Sequence, residues 1–441
     1  MLVALSTIGL GNYQEIEYIW RPLGQEPRTH RTALFPLAVD AFFKPDKLLL
    51  MVTPEVHGHE NCRKIHHELD ERLQVVPIPP GKTEEELWQI FDIVSAAVPE
   101  RARVILDVTY GFRSLPFVIF GVINYLRRTK GIRLERIVYG AYEAKETGPD
   151  GVSRAPVFDL TMLVDLHEWL QAVEAFTVRS EGEKLAALLA EAHRRPWLSG
   201  EGGEGELPRQ LQRMAGCIKE FSQSVRLLRP LEALEAAARA QTLARQVEQE
   251  AARWAKPFRH VLSRLTDELW SLAADDARTL DEEGLRRQLS LIKHYVEKDL
   301  IVQAVLLGRE WLVNWLAWRV GEERWRDRDV REGKLAFALN RAMRRRAAVT
   351  EDTVDSCAVW YEDKENDGDA RDGTGVPPWY NALPEAREAA ELWGWLTNLR
   401  NDVAHCAMND NPASPARIRE RAKQLVQRLD GLLTSSILTC A

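Results

Sequence analysis

The sequence predicts an α/β N-terminal domain, with a parallel sheet flanked by helices, followed by an all-α helical C-terminal domain. Three observations carry this expectation. Up to about residue 160, short β-branched and aliphatic runs alternate with amphipathic segments, the pattern of repeated strand–helix–strand units. Beyond that point Ala, Leu, Glu, Arg and Gln dominate and β-rich runs nearly vanish, a composition that favours helix. The chain has 441 residues, 45% hydrophobic and 28% charged, enough for two or three cores. The boundary is placed between residues 1–165 and 166–441.

The expected strands are Leu2 to Ile8, Lys47 to Thr53, Leu73 to Ile78, Arg103 to Thr109 and Arg136 to Tyr142, each rich in aliphatic or β-branched residues. Between them Thr29 to Phe43, Gly58 to Arg72, Lys82 to Val98 and Ser114 to Thr129 repeat apolar residues at helical spacing. Gly148-Pro149-Asp150-Gly151 marks a tight turn, with Val157 and Phe158 on a returning edge strand. The expected helical stretches then run from Met162 to Arg194, Pro208 to Ser271, Asp281 to Arg326, Pro384 to Met408 and Pro415 to Leu433. Ser199 to Glu206 reads as a flexible acidic linker, and Glu362 to Pro378, rich in Asp, Asn and Gly, as a mobile surface loop.

Net charge is −7, which excludes a broad basic surface that grips nucleic acid without specificity and confines any such contact to a local site. The cysteines, Cys62, Cys217, Cys357, Cys406 and Cys440, form no CxxC pair and fit reduced thiols. The start of the chain lacks a basic signal-peptide region, and no apolar run is long enough to span a bilayer. A soluble, cytoplasmic chain is expected, with no membrane partner. His57, His59, His66 and His67 lack an acidic or cysteine partner at ligand spacing, so no metal is assigned. The fourteen tryptophans, Trp311, Trp315 and Trp318 among them, are read as core or interface.

Two N-terminal segments fall where a parallel sheet collects ligands, beyond the C-terminal strand ends. In the first, Gly9-Leu10-Gly11-Asn12-Tyr13-Gln14, two glycines allow close backbone approach and the following residues offer hydrogen bonds and a stacking face. Position 14 is Gln where a dinucleotide fingerprint needs Gly. A nicotinamide cofactor is thereby disfavoured. In the second, Asp107-Val108-Thr109-Tyr110-Gly111-Phe112-Arg113-Ser114, a buried strand ends in Asp and Thr, turns at Gly111 and opens a helix near Ser114, with Arg113 available for a phosphate. Each segment alone also suits an ordinary strand-to-helix turn.

Near the other end, Arg400-Asn401-Asp402-Val403-Ala404-His405 places a guanidinium that can hold a phosphate close to an imidazole that can move a proton near neutral pH. Five helical residues rotate by about 140° and rise about 7.5 Å, poor geometry for two ligands of one metal. The structural alternative pairs Arg400 with Asp402 or Glu391 and leaves His405 as a helix-end residue. Arg253 to His260 and Arg287 to His294 repeat the pattern with longer spacers, but Trp254 and Gln288 follow their arginines where Asn401 follows Arg400.

The N-terminal segments resemble the CARF domains of type III CRISPR ancillary proteins, whose Asp-x-Thr-His-Gly motif has Tyr110 in place of histidine here. The C-terminal tract resembles the R-x4–6-H motif of HEPN ribonucleases. The resemblance covers both ends of the chain; about residues 165 to 380 share only helical character. It implies a Rossmann-like domain that forms a homodimer and binds a cyclic oligoadenylate across the two-fold axis, cyclic tetraadenylate being favoured over cyclic hexaadenylate. Gly9, Leu10, Gly11, Asn12, Tyr13 and Gln14 would face one side of the ligand. Asp107, Thr109, Tyr110, Gly111, Arg113 and Ser114 would face the other. It further implies an allosterically activated, metal-independent endoribonuclease acting on single-stranded RNA in antiviral defence, by 2′-hydroxyl attack that leaves a 2′,3′-cyclic phosphate. Arg400 would stabilise phosphate charge, His405 transfer a proton and Asn401 orient one or the other. The competing expectation is a cyclic-oligoadenylate sensor or docking protein without catalysis.

Overall fold

The computed structural model describes residues 1–22, 26–111, 114–199, 207–274, 276–349, 375–408 and 411–440. Its elements in the first part are β1 (Leu2–Thr7), β2 (Ile16–Trp20), β3 (Arg28–Thr32), α1 (Phe35–Phe43), β4 (Lys47–Val52), α2 (Pro54–His57), α3 (Glu60–Leu69), β5 (Leu73–Pro77), α4 (Glu84–Ala97), β6 (Arg103–Asp107), α5 (Ser114–Thr129), β7 (Arg133–Gly140), β8 (Glu146–Thr147) and β9 (Ser153–Asp159). One mixed sheet runs in the order β3-β2-β9-β7-β6-β1-β4-β5, with β8 beside β9. The consecutive strands β7, β6, β1, β4 and β5 are parallel.

Side chains alternate across these strands. Ala4, Leu48, Leu50 and Ile105 join one buried cluster with α1 and α3, while Val3, Leu5, Leu49, Met51, Val104 and Leu106 join another with α4 and α5. Helices thus cover both faces, which is why these strands read as nearly unbroken apolar runs.

The five expected strands and the helix over Ser114 to Thr129 are present within a few residues. Two expectations are corrected. Residues from Thr29 are not helical up to the turn before α1: Arg28–Thr32 pairs antiparallel with β2, and helix begins only where Pro36 sits in the first turn, its fixed φ suiting that position. The strand carrying Val157 and Phe158 is interior, pairing with β2, β7 and β8.

The second part contains α6 (Met162–Arg179), α7 (Glu183–Ser199), α8 (Gln210–Arg226), α9 (Pro230–Trp254), α10 (Lys256–Trp270), α11 (Glu282–Glu297), α12 (Ile301–Arg319), a π-helical turn (Val330–Ala336), α13 (Phe337–Val349), α14 (Pro378–Asn381), α15 (Ala386–Ala404) and α16 (Pro415–Cys440). Long helical stretches in the sequence are therefore divided: left-handed Ser180, Leu228 and Asp299 end helices that periodicity alone would continue. The segment from Val330 to Val349 had no helical assignment from sequence. Most of the loop over 362–378 and all but the first residue of the linker over 199–206 lie outside the described residues. Trp311 and Trp315 are fully buried, their indole N–H groups donating to the Leu285 carbonyl and the Ser436 hydroxyl. The chain divides into two compact units, Met1–Glu168 and Trp169–Ala441, with the division inside α6. Among the described residues no helix is long and apolar enough to cross a membrane.

Candidate functional site

β1 and β6 are adjacent and parallel; the chain leaves β1 for β2 and leaves β6, through α5, for the neighbouring β7. Their C-terminal ends therefore lie side by side, at the edge where open α/β sheets bind ligands. Both N-terminal candidate segments lie there. The Thr7 hydroxyl donates to the Tyr110 carbonyl over 2.6 Å, and the Tyr13 and Tyr110 rings meet with centroids 4.5 Å apart. Two stretches a hundred residues apart in sequence thus form one wall.

The loop from Gly9 to Gln14 is shaped by Tyr13 folding back over it. The Tyr13 hydroxyl lies 2.7 Å from where a Cβ at residue 9 would sit, and its Cε1 lies 2.9 Å from a Cβ at residue 11. Only glycine at both positions leaves room for the ring. Leu10 and Asn12 are exposed. Buried Asn61 on α3 donates its side-chain amide to the carbonyls of Gly9 and Gly11, both at 3.0 Å. Gln14 accepts from the Tyr142 hydroxyl at 3.3 Å, and Lys145 donates to that hydroxyl at 2.7 Å. Asn61, Tyr142 and Lys145 were not identified from sequence; each belongs to an element without an unusual motif.

In the second segment Asp107 is buried and accepts from the Ser6 hydroxyl and from the Thr109 N–H, the latter at 2.9 Å. Burial pushes its carboxyl up to about 6, partly opposed by these hydrogen bonds. The Thr109 hydroxyl accepts from the Gly140 N–H at 2.8 Å, tying the turn to β7. Tyr110 bonds through its hydroxyl to the Ala33 carbonyl and the Phe35 N–H, both at 3.4 Å, so its ring is a structural wall whose phenol burial pushes upward. Gly111 has φ +105, a conformation that only glycine adopts without strain. Ser114 is exposed at the start of α5. Arg113 and Phe112 lie outside the described residues.

In the helical unit, Leu392, Leu396 and Leu399 bury one face of α15, and half-buried Trp395 carries Arg428 over its ring at 4.5 Å. Arg400 lies in the last turn. Its Nη1 donates to Asn401 Oδ1 at 3.1 Å, while its Nε is enclosed with no hydrogen-bond partner among the described residues. Glu391 is held by Arg346 and, at 3.3 Å, by Arg387. His405 caps the helix with its N–H on the Asn401 carbonyl at 2.9 Å, and its side chain is exposed. The chain then reverses through Cys406 and Ala407, at φ 55 and 57, closed by Ala407 N–H to the Asp402 carbonyl at 3.0 Å. The Asp402 carboxylate accepts from Ala413 N–H at 3.1 Å. The imidazole is therefore presented to solvent on a bonded turn.

The two competing pairs are arranged differently. Arg253 stacks on Trp254 at 4.6 Å, and the break between α9 and α10 separates it from His260. Arg287 pairs with Glu283 at 2.7 Å. His294 is buried against the Ser180 hydroxyl at 2.8 Å. Among the described residues no group of three or more His, Cys, Asp or Glu could hold a metal ion.

No protein-family model matches the chain. Over 195 residues it is 26% identical to the CRISPR-associated protein MJ1674 of Methanocaldococcus jannaschii, an alignment covering 42% of this chain and 26% of that protein. The matched region thus spans about a quarter of the length of that curated relative. Among solved structures, Enterococcus italicus Csm6 bound to cyclic hexa-2′-fluoro-hexa-dAMP aligns over 99% of this chain and 94% of its own, with 12% identity and a TM-score of 0.41.

Proposed function

We propose that the chain is a ribonuclease switched on by a cyclic oligoadenylate in type III CRISPR defence, with residues 1–165 as a CARF-type sensor and residues 166–441 containing a HEPN-type nuclease. The observation that carries the reading is the meeting of the Gly9–Gln14 loop and the Asp107–Gly111 turn at the adjacent C-terminal ends of β1 and β6. The family resemblance assigns just these two segments to one ligand. Similarity to a CRISPR-associated protein supports the same setting.

A cyclic, two-fold symmetric ligand suits an isologous dimer, in which each protomer presents the same groups to half of the ring. Exposed Asn12 and the Gln14–Tyr142–Lys145 chain supply hydrogen bonds and one positive charge beside these segments. At the other site half-buried Arg400, in the last turn of α15, offers its guanidinium to the scissile phosphate. Exposed His405 moves a proton during in-line attack of the ribose 2′-hydroxyl on its own phosphate. That attack breaks the P–O5′ bond and leaves a 2′,3′-cyclic phosphate and a 5′-hydroxyl. DNA lacks the nucleophile. Activation requires the ligand to bind the cleaving arrangement more tightly than the resting one.

The test is a fluorogenic single-stranded RNA assayed with the full chain and a panel of cyclic tri-, tetra- and hexaadenylate. Cyclic tetraadenylate is expected to evoke cleavage, with loss of cleavage but retained activator binding in Arg400→Ala and His405→Ala. Cleavage indifferent to every ring, or undiminished in both variants, overturns the reading.

A further inference from the structure

Positive charge gathers at a second place in the helical unit. Arg309 on α12, Arg326 and Arg328 in the connection that follows, and Arg331 in the π-helical turn line a cavity of about 160 Å³ together with Glu310 and Glu332. Four guanidinium groups facing two carboxylates leave an excess of two positive charges. This occurs in a chain whose net charge is −7.

The inner part of the cavity is a fixed frame. Glu310 is shared between Arg331, at 2.7 Å, and Arg309, at 2.6 Å. Arg331 also donates to Asn314 Oδ1 at 2.6 Å and to the Trp325 carbonyl at 2.8 Å, and Asn314 is itself held by Gln288 at 2.7 Å. The outer part is not neutralised in the same way. Arg326 lies over the Trp325 ring at 5.7 Å and makes no ion pair among the described residues. Arg328, with its side chain 85% exposed, meets Glu332 at 3.5 Å, a surface pair of little intrinsic worth. Two planar forks are thus free to turn onto an oxyanion at the mouth of a pre-formed frame, the geometry with which arginine recognises phosphate. The π-helical turn fits this assignment, since such turns recur at functional sites.

The cavity is also related to the candidate cleavage tract. Arg309 stacks over Trp393 of α15 at 4.9 Å. Arg400 follows Trp393 by seven residues on the same helix, about two turns and 10.5 Å further along nearly the same face.

We infer that this cavity is a phosphate subsite that holds a backbone phosphodiester of single-stranded RNA flanking the one to be cleaved. The inference rests on the ribonuclease reading for its purpose, but its binding chemistry stands apart from catalysis. It is tested with the full chain carrying His405→Ala, by the fluorescence anisotropy of a labelled single-stranded RNA across a salt series, with and without cyclic tetraadenylate. Adding Arg326→Ala and Arg328→Ala is expected to weaken binding about tenfold. It should also flatten the slope of log affinity against log salt by about 0.7, the share of one phosphate contact on a single strand. Arg326→Lys with Arg328→Lys should keep most of the slope. Unchanged affinity and slope in the alanine variant, or no RNA binding by the His405→Ala chain, overturns the subsite. A wild-type chain that binds RNA through these arginines yet cleaves none under any activator sinks the ribonuclease reading and leaves the subsite intact.

Discussion

Arg287 with His294 and Arg400 with His405 satisfy nearly the same sequence pattern, and the fold places them in opposite environments. His294 is buried beside Ser180 and Phe221, and burial, with Lys298 nearby, pushes its imidazole down to about 3. His405 stands exposed at the end of α15. A proton carrier needs access to solvent and substrate, so only the second can act as one. The neighbours of each histidine mark the difference: Leu291, Ile292 and Tyr295 surround His294 in sequence and are fully buried, whereas His405 is followed by exposed Cys406, Ala407 and Met408.

The largest expected effect sharpens this contrast directly. His405→Ala should lower activated RNA cleavage by about 100- to 10,000-fold, the usual worth of a general acid or base, while the melting temperature stays within a degree or so, because the removed ring is exposed. His294→Gln should do the reverse, lowering the melting temperature while cleavage per folded molecule persists. Cleavage lost in His294→Gln at full folding would break the comparison.

A smaller effect concerns pH. His294 binds its proton more weakly when folded than its ordinary value of 6.5, so protonation favours the unfolded chain. The stabilisation from the neutral ring is complete above about 6.5 and lost as pH falls toward about 3. Between pH 6.5 and pH 5 the loss is about 2 kcal/mol, readable as a steeper fall in denaturation midpoint for the wild type than for His294→Gln. Asp107 runs the other way, since a carboxyl raised to about 6 removes stability as pH rises from about 4 through 6. It is common to both proteins and cancels in their difference. Parallel pH profiles would show that His294 is not the neutral, buried group described.

Much of the α/β unit was legible because buried parallel strands leave uninterrupted apolar runs, as in Lys47–Val52 and Arg103–Asp107. β2 and β3 were not, because Tyr18 and Trp20 point inward while Thr29 to Thr32 are polar, and their pairing is decided by a partner strand far along the chain rather than by local pattern. Breaks between helices were missed where non-glycine residues such as Ser180 and Leu228 take left-handed conformations. At the ends of β1 and β6 the glycines and Asp107 announced themselves. Asn61, which holds the loop by two hydrogen bonds, did not, since nothing in a helical sequence says that an asparagine will face a distant loop. The place of Tyr110 became intelligible only with the contacts of its hydroxyl to Ala33 and Phe35, which bind the ring into the wall.

The next expectation tests the support around the exposed pair. Asn401 Oδ1 accepts from Arg400 Nη1 at 3.1 Å, fixing a guanidinium whose remaining contacts are few. Asn401→Ala should therefore reduce cleavage about tenfold, ~1.4 kcal/mol in the barrier, with RNA affinity little changed because the charge remains. An equal fall in affinity and rate would make Asn401 a binding residue instead.

The smallest effect belongs to Arg287, the arginine of the buried pair. Its Nε meets Glu283 at 2.7 Å and its Nη1 donates to the Ser271 carbonyl at 3.2 Å. The partly exposed i, i+4 ion pair is worth about 0.3–0.5 kcal/mol and the hydrogen bond about 1 kcal/mol. Arg287→Ala should thus lower the denaturation midpoint slightly and leave cleavage and its salt dependence unchanged. The outcome matters because Arg400→Ala is the same substitution in the same pattern. If both abolished cleavage, the environment of the arginine would not be what separates the two pairs, and the assignment of Arg400 to the phosphate would lose its distinguishing argument.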